Sequence, residues 1–179
     1  MARSQLNQVK AQPELNTTQR ILFVCLGNIC RSPAAEGVFL HLLGLTELKS
    51  NYLVDSAGTG AWHVGNDADK RMRAAAAKRG INLVSKARQI TEDDLMNFDR
   101  ILTMDQENLK QVRKMAAQSG IDRTKIALIE PITNYCCKFS AAIIPDPYYG
   151  GDTGFEDVLD LLEDACAGLL ASLNERSHS

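Results

Sequence analysis

A short apolar run that leads directly into a helix start limits the fold of this chain more than any other feature. Ile21–Val24 is continuously apolar, which is typical of a strand buried on both faces of a sheet. The segment Cys25–Pro33 follows at once and ends on Ser32, a favoured helix N-cap, and Pro33, which suits the first helical turn. Apolar residues spaced by three and four come next. The sequence therefore predicts a strand–loop–helix unit here.

Strands and helices alternate through the remainder of the sequence. Apolar runs predict three more strands, at 52–56, 100–104 and 125–129. Spacing and capping residues predict helices at 68–79, from Thr91, from Asp105 and at 155–173. Such alternation predicts an α/β fold in three layers, a parallel sheet with helices on both faces. In folds of this class, ligands bind beyond the carboxyl ends of the strands. Cys25 follows the first strand at that edge.

The length and composition predict one globular domain. A chain of 179 residues can bury a single core without disulfides or metals. We assign 20–174 to this domain, 1–19 to a polar disordered leader unlike a signal peptide, and 175–179 to a disordered tail. The formal net charge of −2 gives no reason to expect nucleic acid or an anionic membrane as a partner. No apolar run approaches the ~20 residues that cross a bilayer.

The cysteine usage predicts a reducing compartment. Five cysteines are an odd number spread along the chain, and no secretory leader precedes them, which argues against a disulfide framework. We therefore expect a cytoplasmic protein. Zinc is not expected, because no C-x-x-C pair is present and His41, His63 and His178 lie far apart in the sequence.

The segment from Cys25 to Arg31 has the spacing of a phosphate-binding loop. C-x5-R by itself is weak, since chance produces it roughly a quarter of the time in such a composition. The preceding strand and following helix make it specific, because a loop at a helix N-terminus can turn several N–H groups towards one dianion. Gly27 is expected to take a backbone angle that other residues resist, and Asn28 tolerates the left-handed region. The alternative is an ordinary turn with a buried cysteine and a surface arginine.

The residue types in this loop predict nucleophilic chemistry on phosphorus. Arg31 offers a planar fork that can hold two phosphoryl oxygens, which lysine cannot do. An anion-binding loop also favours the thiolate form of Cys25, the nucleophilic form. Ser32 either hydrogen-bonds this thiolate or only caps the helix, and both interpretations stay open. The leaving group needs a proton, and Asp146, held between two prolines, is the best donor, although Asp-Pro also occurs in inert turns.

Two segments, Val24–Glu36 and Asp146–Gly150, resemble the low-molecular-weight protein tyrosine phosphatases. The resemblance extends over about Ile21 to Leu173, nearly everything after the leader. It implies a four-stranded parallel sheet in the order 2-1-3-4, with neither a metal nor another cofactor. It also implies a monomer that hydrolyses phosphotyrosine in proteins, and aryl phosphate monoesters, through a phosphocysteine intermediate. Inorganic phosphate and other oxyanions would then be product or inhibitors.

The same resemblance implies roles for individual residues. Cys25 is the nucleophile, Arg31 binds phosphate and Asp146 is the general acid. Ser56 helps to brace the loop, and Asp105 orients the arginine, unless it only caps a helix. The residues that bind phosphate or support the loop are Leu26, Gly27, Asn28, Ile29, Cys30 and Ser32. The aromatic walls of the substrate pocket are Trp62, Tyr148 and Tyr149.

Two further expectations follow from the resemblance. Cys30 lies in the loop, and the family uses such a second thiol to protect the nucleophile, so we expect redox regulation through a reversible Cys25–Cys30 disulfide. The alternative is that Cys30 only fills space. Several relatives have a histidine just before the Ala87–Ile90 stretch, where this chain has Val-Ser-Lys at 84–86. The support of the loop through Ser56 is therefore expected to differ.

Two other functions are compatible with parts of this sequence. A thioredoxin-coupled arsenate reductase shares the fold and the C-x5-R loop, but it needs relay cysteines in the middle of the chain, and none lies between Cys30 and Cys136. A module that binds phosphotyrosine without hydrolysing it would be expected to have lost Cys25 or Asp146, and both are present. The phosphatase is therefore the preferred function.

Overall fold

The structure is a computed structural model that describes residues 18–148 and 151–176. Residues 1–17 of the predicted leader and 177–179 of the predicted tail lie outside the described residues. The strands are β1 Gln19–Cys25, β2 Tyr52–Gly58, β3 Arg100–Thr103 and β4 Leu128–Pro131. The α-helices are α1 Arg31–Gly44, α2 Lys70–Lys78, α3 Glu92–Asn97, α4 Gln106–Gln118 and α5 Asp152–Arg176.

The strands form a parallel sheet in the order β2-β1-β3-β4, which confirms the predicted 2-1-3-4 arrangement. β1 is central: Phe23 is paired with Ser56 of β2 and with Leu102 of β3. Cys25 ends β1 and is paired with Gly58. The loop that follows Cys25 therefore begins at the sheet edge where ligands bind in this class of fold.

Helices cover both faces of the sheet because β1 is apolar on both sides. Successive side chains of a strand point to opposite faces. Ile21 and Phe23 are fully buried in one core with α1, α2 and α5, which we call the first core. Leu22 and Val24 are fully buried in a second core with α3 and α4. The predicted three-layer architecture is thus confirmed.

The C-terminal helix α5 closes the first core. It packs on α1 and α2, as the helical spacing of its apolar residues predicts. The buried apolar residues of α5 include Phe155, Leu159, Leu162, Cys166 and Leu169.

No helix among the described residues is long and apolar enough to cross a membrane.

β4 begins at Leu128, later than the strand predicted at 125–129. Lys125 instead ends a short 3₁₀ turn whose N-cap, Asp122, accepts a hydrogen bond from Thr124 N at 2.9 Å. A bond from a short polar side chain to the nearby backbone favours a turn over a strand. The apolar pattern alone did not contain this information.

Candidate active site

Three carbonyl groups in the loop between β1 and α1 accept hydrogen bonds from outside the loop. The donors are backbone N–H groups that follow β2 or precede α2, so the loop is fixed to both segments. The pairs are Cys25 with Thr59 and Leu26 with Gly60, both at 2.9 Å, and Ile29 with Asp69 at 2.7 Å.

The orientation of these carbonyls determines where the loop amides point. The described peptide bonds are trans, and a planar trans peptide directs its C=O and N–H to opposite sides. The N–H groups of Leu26, Gly27 and Cys30 therefore point away from the outer segments and into the loop. Together with the first N–H groups of α1, which as at any helix start lack an acceptor one turn earlier in the helix, they make an arrangement suited to an anion.

Asn28, and not Gly27, takes the unusual backbone angle. The φ of Asn28 is 54°, in the left-handed region that asparagine tolerates, and its N–H donates to Cys25 Sγ at 3.3 Å. The expectation for Gly27 is wrong, since its φ lies outside that region. A Cβ at this position would meet His63 Cδ2 at 3.0 Å, a tight contact that the His63 side chain would have to relieve by shifting.

The side chain of Asn28 is the centre of a buried hydrogen-bonded network. Its Nδ2 donates to Ser32 Oγ at 2.9 Å and to Ser56 Oγ at 3.0 Å. Its Oδ1 accepts from Arg88 N at 2.8 Å, which determines the orientation of the amide. The structure thus places both predicted supporting serines in contact with Asn28.

Glu36 ends this network on the side away from Cys25. Ser56 Oγ donates to Glu36 Oε2 at 2.6 Å, and Ser85 also hydrogen-bonds this carboxyl group. Burial raises the pKa of Glu36, while the bonds from the two serines oppose the rise. The support of Ser56 in this chain therefore comes from a carboxyl group and a serine of segment 84–86.

Ser32 lies directly beneath the sulfur. Its Oγ is 3.0 Å from Cys25 Sγ, and it donates to Ala57 O at 3.1 Å. The prediction that Ser32 caps the helix is wrong, because α1 already begins at Arg31. The hydroxyl of Ser32 accepts a hydrogen bond from Asn28 and has one proton of its own to donate. That proton goes either to the Ala57 carbonyl or to the sulfur.

The side chain of Arg31 is buried and held by two carboxylates. Nη1 donates to Asp105 Oδ2 at 2.6 Å and to Ile144 O at 3.2 Å, while Nη2 donates to Asp146 Oδ2 at 3.1 Å. The side chain of Arg31 is 4% exposed, whereas those of Asp105 and Asp146 are 21% and 39% exposed, so the carboxyl of Asp146 is the more accessible of the two. Asp105 also accepts from Asn108 N at 2.8 Å, which caps α4. Asp105 therefore contacts the arginine and caps a helix at once.

A cleft of about 310 Å³ opens over Cys25. Trp62 and Tyr148 contribute aromatic surface to it and are 73% and 38% exposed. Tyr149, the third predicted aromatic wall, lies outside the described residues. The predicted supporting residues Asn28, Ser32, Ser56 and Asp105 are not part of the lining. The lining residues are Cys25, Leu26, Gly27, Ile29, Cys30, Arg31, Trp62, His63, Asp146 and Tyr148.

Cys30 lines the same cleft as Cys25 and is 4% exposed. Burial raises the pKa of the Cys30 thiol, and the negative charge of Asp69 raises it further. Cys30 is therefore a neutral thiol at physiological pH. The structure brings together a candidate nucleophile and a second sulfur that stays protonated.

Two residues of the site were missed in the sequence. His63 lines the cleft, and its signal was its position directly after the predicted wall residue Trp62. Glu36 supports Ser56, and its signal was an acidic residue among the small and apolar residues of the helix, one turn after Ser32. Neither signal assigns its residue to the site by itself, because it does not say which other segments lie beside that residue in the fold.

The described part of the chain contains no ligand set for a metal ion. Across residues 18–148 and 151–176, no group of three or more His, Cys, Asp or Glu side chains is arranged to bind one.

Comparison with known proteins identifies one family over nearly the whole chain. Residues 20–179 match the family described as low molecular weight phosphotyrosine protein phosphatase. A putative low molecular weight protein-tyrosine-phosphatase of Synechocystis sp. is 44% identical over 156 residues, which cover 87% of this chain and 97% of that protein.

Solved structures give the same result for the fold. A crystal structure of a protein tyrosine phosphatase from Entamoeba histolytica, with Hepes in the active site, is 39% identical with a TM-score of 0.83. The match covers 89% of this chain and 99% of that one. An arginine phosphatase of Drosophila is 32% identical with a TM-score of 0.79, over 86% of this chain and 96% of that one.

Proposed function

The chain belongs to the low molecular weight phosphotyrosine protein phosphatases and is a hydrolase of phosphotyrosine, and on this basis we propose that Cys25, Arg31 and Asp146 carry the reaction. The observation that supports this most strongly is the joint position of the three side chains. Cys25 and Asp146 line one cleft, and the buried guanidinium of Arg31 contacts the Asp146 carboxyl at 3.1 Å. A nucleophile, an anion-binding side chain and a proton donor therefore lie together at the carboxyl edge of the sheet.

In the first step, the Cys25 thiolate attacks phosphorus and forms the S–P bond while the bond to the aryl oxygen breaks. The phenolate that leaves takes the proton of Asp146. The loop amides and Arg31 bind the phosphoryl oxygens, on which negative charge is concentrated. The guanidinium Nη2 that now contacts Asp146 is a donor that a phosphate oxygen would share.

In the second step, water attacks the phosphocysteine, and the Asp146 carboxylate accepts a proton from it. The S–P bond breaks, inorganic phosphate forms and Cys25 departs as a thiolate. Ser32 Oγ, 3.0 Å from the sulfur, can then donate its proton to the thiolate instead of to the Ala57 carbonyl. The Asn28 N–H supplies a further donor at 3.3 Å. These donors favour the departing sulfur anion.

The walls of the cleft support an aromatic substrate. Cys25 is 3% exposed, so phosphorus must enter the cleft that Trp62 and Tyr148 line in order to reach the sulfur. A phenyl ring between phosphate and peptide spans that depth and packs on the aromatic and apolar lining, which a serine side chain is too short to do. We therefore propose phosphotyrosine proteins and aryl phosphates as the substrate class, and phosphate and related oxyanions as product or inhibitors.

Rapid-mixing kinetics with 4-nitrophenyl phosphate test this function. We expect a burst of nitrophenol equal to the enzyme concentration, because with this activated leaving group the phosphocysteine forms faster than it is hydrolysed and therefore accumulates. Phosphotyrosine peptides should be hydrolysed faster than phosphoserine or phosphoarginine peptides of the same sequence. Faster release of phosphate from phosphoarginine would assign the specificity of the Drosophila relative instead. Arsenate reduction with thioredoxin would favour the reductase, and neither burst nor turnover would favour a binding module.

We also propose that Cys30 protects Cys25 from oxidation. A peroxide converts the Cys25 thiolate to a sulfenic acid and is itself reduced to hydroxide. The Cys30 thiol then gives up its proton as its sulfur attacks the sulfenic sulfur, and the hydroxide that leaves takes up that proton as water. The product is a Cys25–Cys30 disulfide, which two external thiols reduce again. Both sulfurs line the same cleft, and the chain's cysteines are free thiols in the structure.

A Cys30→Ser variant should lose this protection. After hydrogen peroxide and then dithiothreitol, we expect the wild type to recover most of its activity and the variant to recover little, because its sulfenic acid proceeds to sulfinic acid. Cys137→Ser, at an exposed position outside the cleft, is the matched control and should recover like the wild type. Equal recovery of all three proteins would reject the protective role.

We propose in addition that residues 20–174 act as one catalytic domain, as a monomer in the reducing cytoplasm. The match from residue 20 onwards and the free cysteines support this organisation. Sedimentation of the purified chain would reveal a stable dimer if the monomer assignment were wrong.

A further inference from the structure

Arg71, in the first turn of α2, lies against two aromatic rings from the C-terminal part of the chain. Its guanidinium carbon is 5.4 Å from the ring centroid of Tyr148 and 4.7 Å from that of Phe155. Both distances are those of a cation–π contact. Phe155 is buried in the first core, whereas Tyr148 is partly exposed and lines the cleft. Arg71 therefore connects a rigid part of the fold to one wall of the cleft.

Asp69 holds the same guanidinium from its other side. Arg71 Nε and Nη2 donate to the two carboxylate oxygens of Asp69 at 3.1 Å and 3.0 Å, and this bidentate pair fixes the plane of the guanidinium. Asp69 also caps α2 by accepting from Arg71 N at 2.8 Å. The N–H of Asp69 donates to Ile29 O at 2.7 Å. The position of Arg71 is therefore set relative to the phosphate-binding loop.

Tyr148 is in turn bound to the proposed acid. Its N–H donates to Asp146 Oδ1 at 3.1 Å, and Pro147 between them restricts the backbone. Any shift of Tyr148 thus moves a donor that orients the Asp146 carboxyl. A continuous series of contacts runs from Ile29 through Asp69, Arg71 and Tyr148 to Asp146.

We propose that Arg71 is a positioning residue for the general acid, which holds Tyr148, and through it the Asp146 carboxyl, at a set distance from the phosphate loop. The inference rests on the proposed role of Asp146. Arg71 does not line the cleft, so it acts through Tyr148 and not on the substrate. Its loss should impair protonation of the leaving group and spare phosphate binding by Arg31.

Arg71→Met tests this role because it keeps a long side chain but removes the charge and the donors. We expect kcat/KM, which reports the first chemical step, to fall about 10-fold for phenyl phosphate, whose leaving group needs the proton, and less than about 3-fold for 4-nitrophenyl phosphate. Inhibition by inorganic phosphate should not change. Arg71→Lys should recover part of the loss, since an ammonium still binds the rings but cannot pair bidentately with Asp69.

Two further variants make the result specific. Arg73→Met, on the same helix, removes a guanidinium that binds Ala68 O, and it should leave both rates unchanged. Asp69→Asn can still cap α2 but loses the ion pair, so it should show the same dependence on the leaving group as Arg71→Met. Thermal unfolding of each variant verifies that the fold is intact.

The decisive measurement is Arg71→Met in an Asp146→Ala background, where a residue that acts through Asp146 should have no further effect. Equal losses for both substrates in Arg71→Met, or a full additional loss in the double variant, would overturn the role of Arg71. If Asp146→Ala itself lowered kcat/KM equally for all aryl phosphates, the acid assignment would fail and the role of Arg71 with it.

Discussion

Replacement of Cys25 by serine is expected to lower the hydrolysis of aryl phosphates by about 10⁴-fold or more, the scale on which loss of a nucleophile acts. Serine is not ionised at neutral pH, and here its smaller oxygen would lie farther from phosphorus than sulfur does. The loop amides and the Arg31 guanidinium remain, so inorganic phosphate or vanadate should still bind. Steady-state assays with 4-nitrophenyl phosphate and calorimetric titration with phosphate measure the two effects separately.

The matched control for this experiment is Cys166→Ser. Cys166 is another buried cysteine, in α5, where it contacts the backbone of α1 at Ala35 O. This change should affect stability but leave the burst amplitude of the folded enzyme at one per molecule. Appreciable turnover by Cys25→Ser would mean that another group attacks phosphorus. The same variant, mixed with a cell extract, should retain phosphotyrosine proteins and so identify physiological substrates.

Replacement of Asp146 by alanine is expected to lower kcat/KM for phenyl phosphate about 10²-fold or more, in the range for loss of a general acid. The physical reason is that phenolate is a poor leaving group unless it is protonated as the P–O bond breaks. The loss should shrink as the leaving group becomes more acidic, and it should be least for 4-nitrophenyl phosphate. A series of substituted phenyl phosphates measures this dependence.

Asp146→Asn separates the proton from the contact to Arg31. An asparagine oxygen can still accept from Arg31 Nη2, which now donates to Asp146 at 3.1 Å, but the amide has no acidic proton to give. We therefore expect Asp146→Asn to resemble Asp146→Ala in its dependence on the leaving group. A near-normal rate in Asp146→Asn would show that the contact to Arg31, and not the proton, is what the reaction requires.

The sequence alone predicted the local parts of this protein well. The run Ile21–Val24 and the segment after it predicted a buried strand, a loop and a helix, and β1 and α1 have this arrangement. Strand order and three-layer architecture also followed, though the order came from family resemblance and not from periodicity. The errors concerned the start of β4, the helix cap assigned to Ser32 and the backbone angle assigned to Gly27, and His63 and Glu36 were not recognised. At Lys125 a side chain–backbone bond decides the local conformation.

The partners of Arg31 could not be predicted from the residues themselves. Asp105 and Asp146 are 74 and 115 positions away in the sequence, and each also fits a plain local role, as a helix cap or in a turn. Family resemblance pointed to both carboxylates. Their distances from Arg31 follow only from the tertiary structure, in which β1, β3 and the segment at 144–148 come together at one edge of the sheet. The Glu36–Ser56–Asn28 series and the Arg71 contacts had no comparable signal.

What the sequence by itself determined is the set of short-range features: which segments are strands or helices, and which loop can surround an anion, because propensity and spacing act between near neighbours. Tertiary structure alone decided at what distance charged groups face Arg31, which carboxyl supports Ser56 and which cation holds Tyr148. These pairings depend on strand order and on the register of packed elements, so the same residues in another topology would remain caps, turns and surface charges.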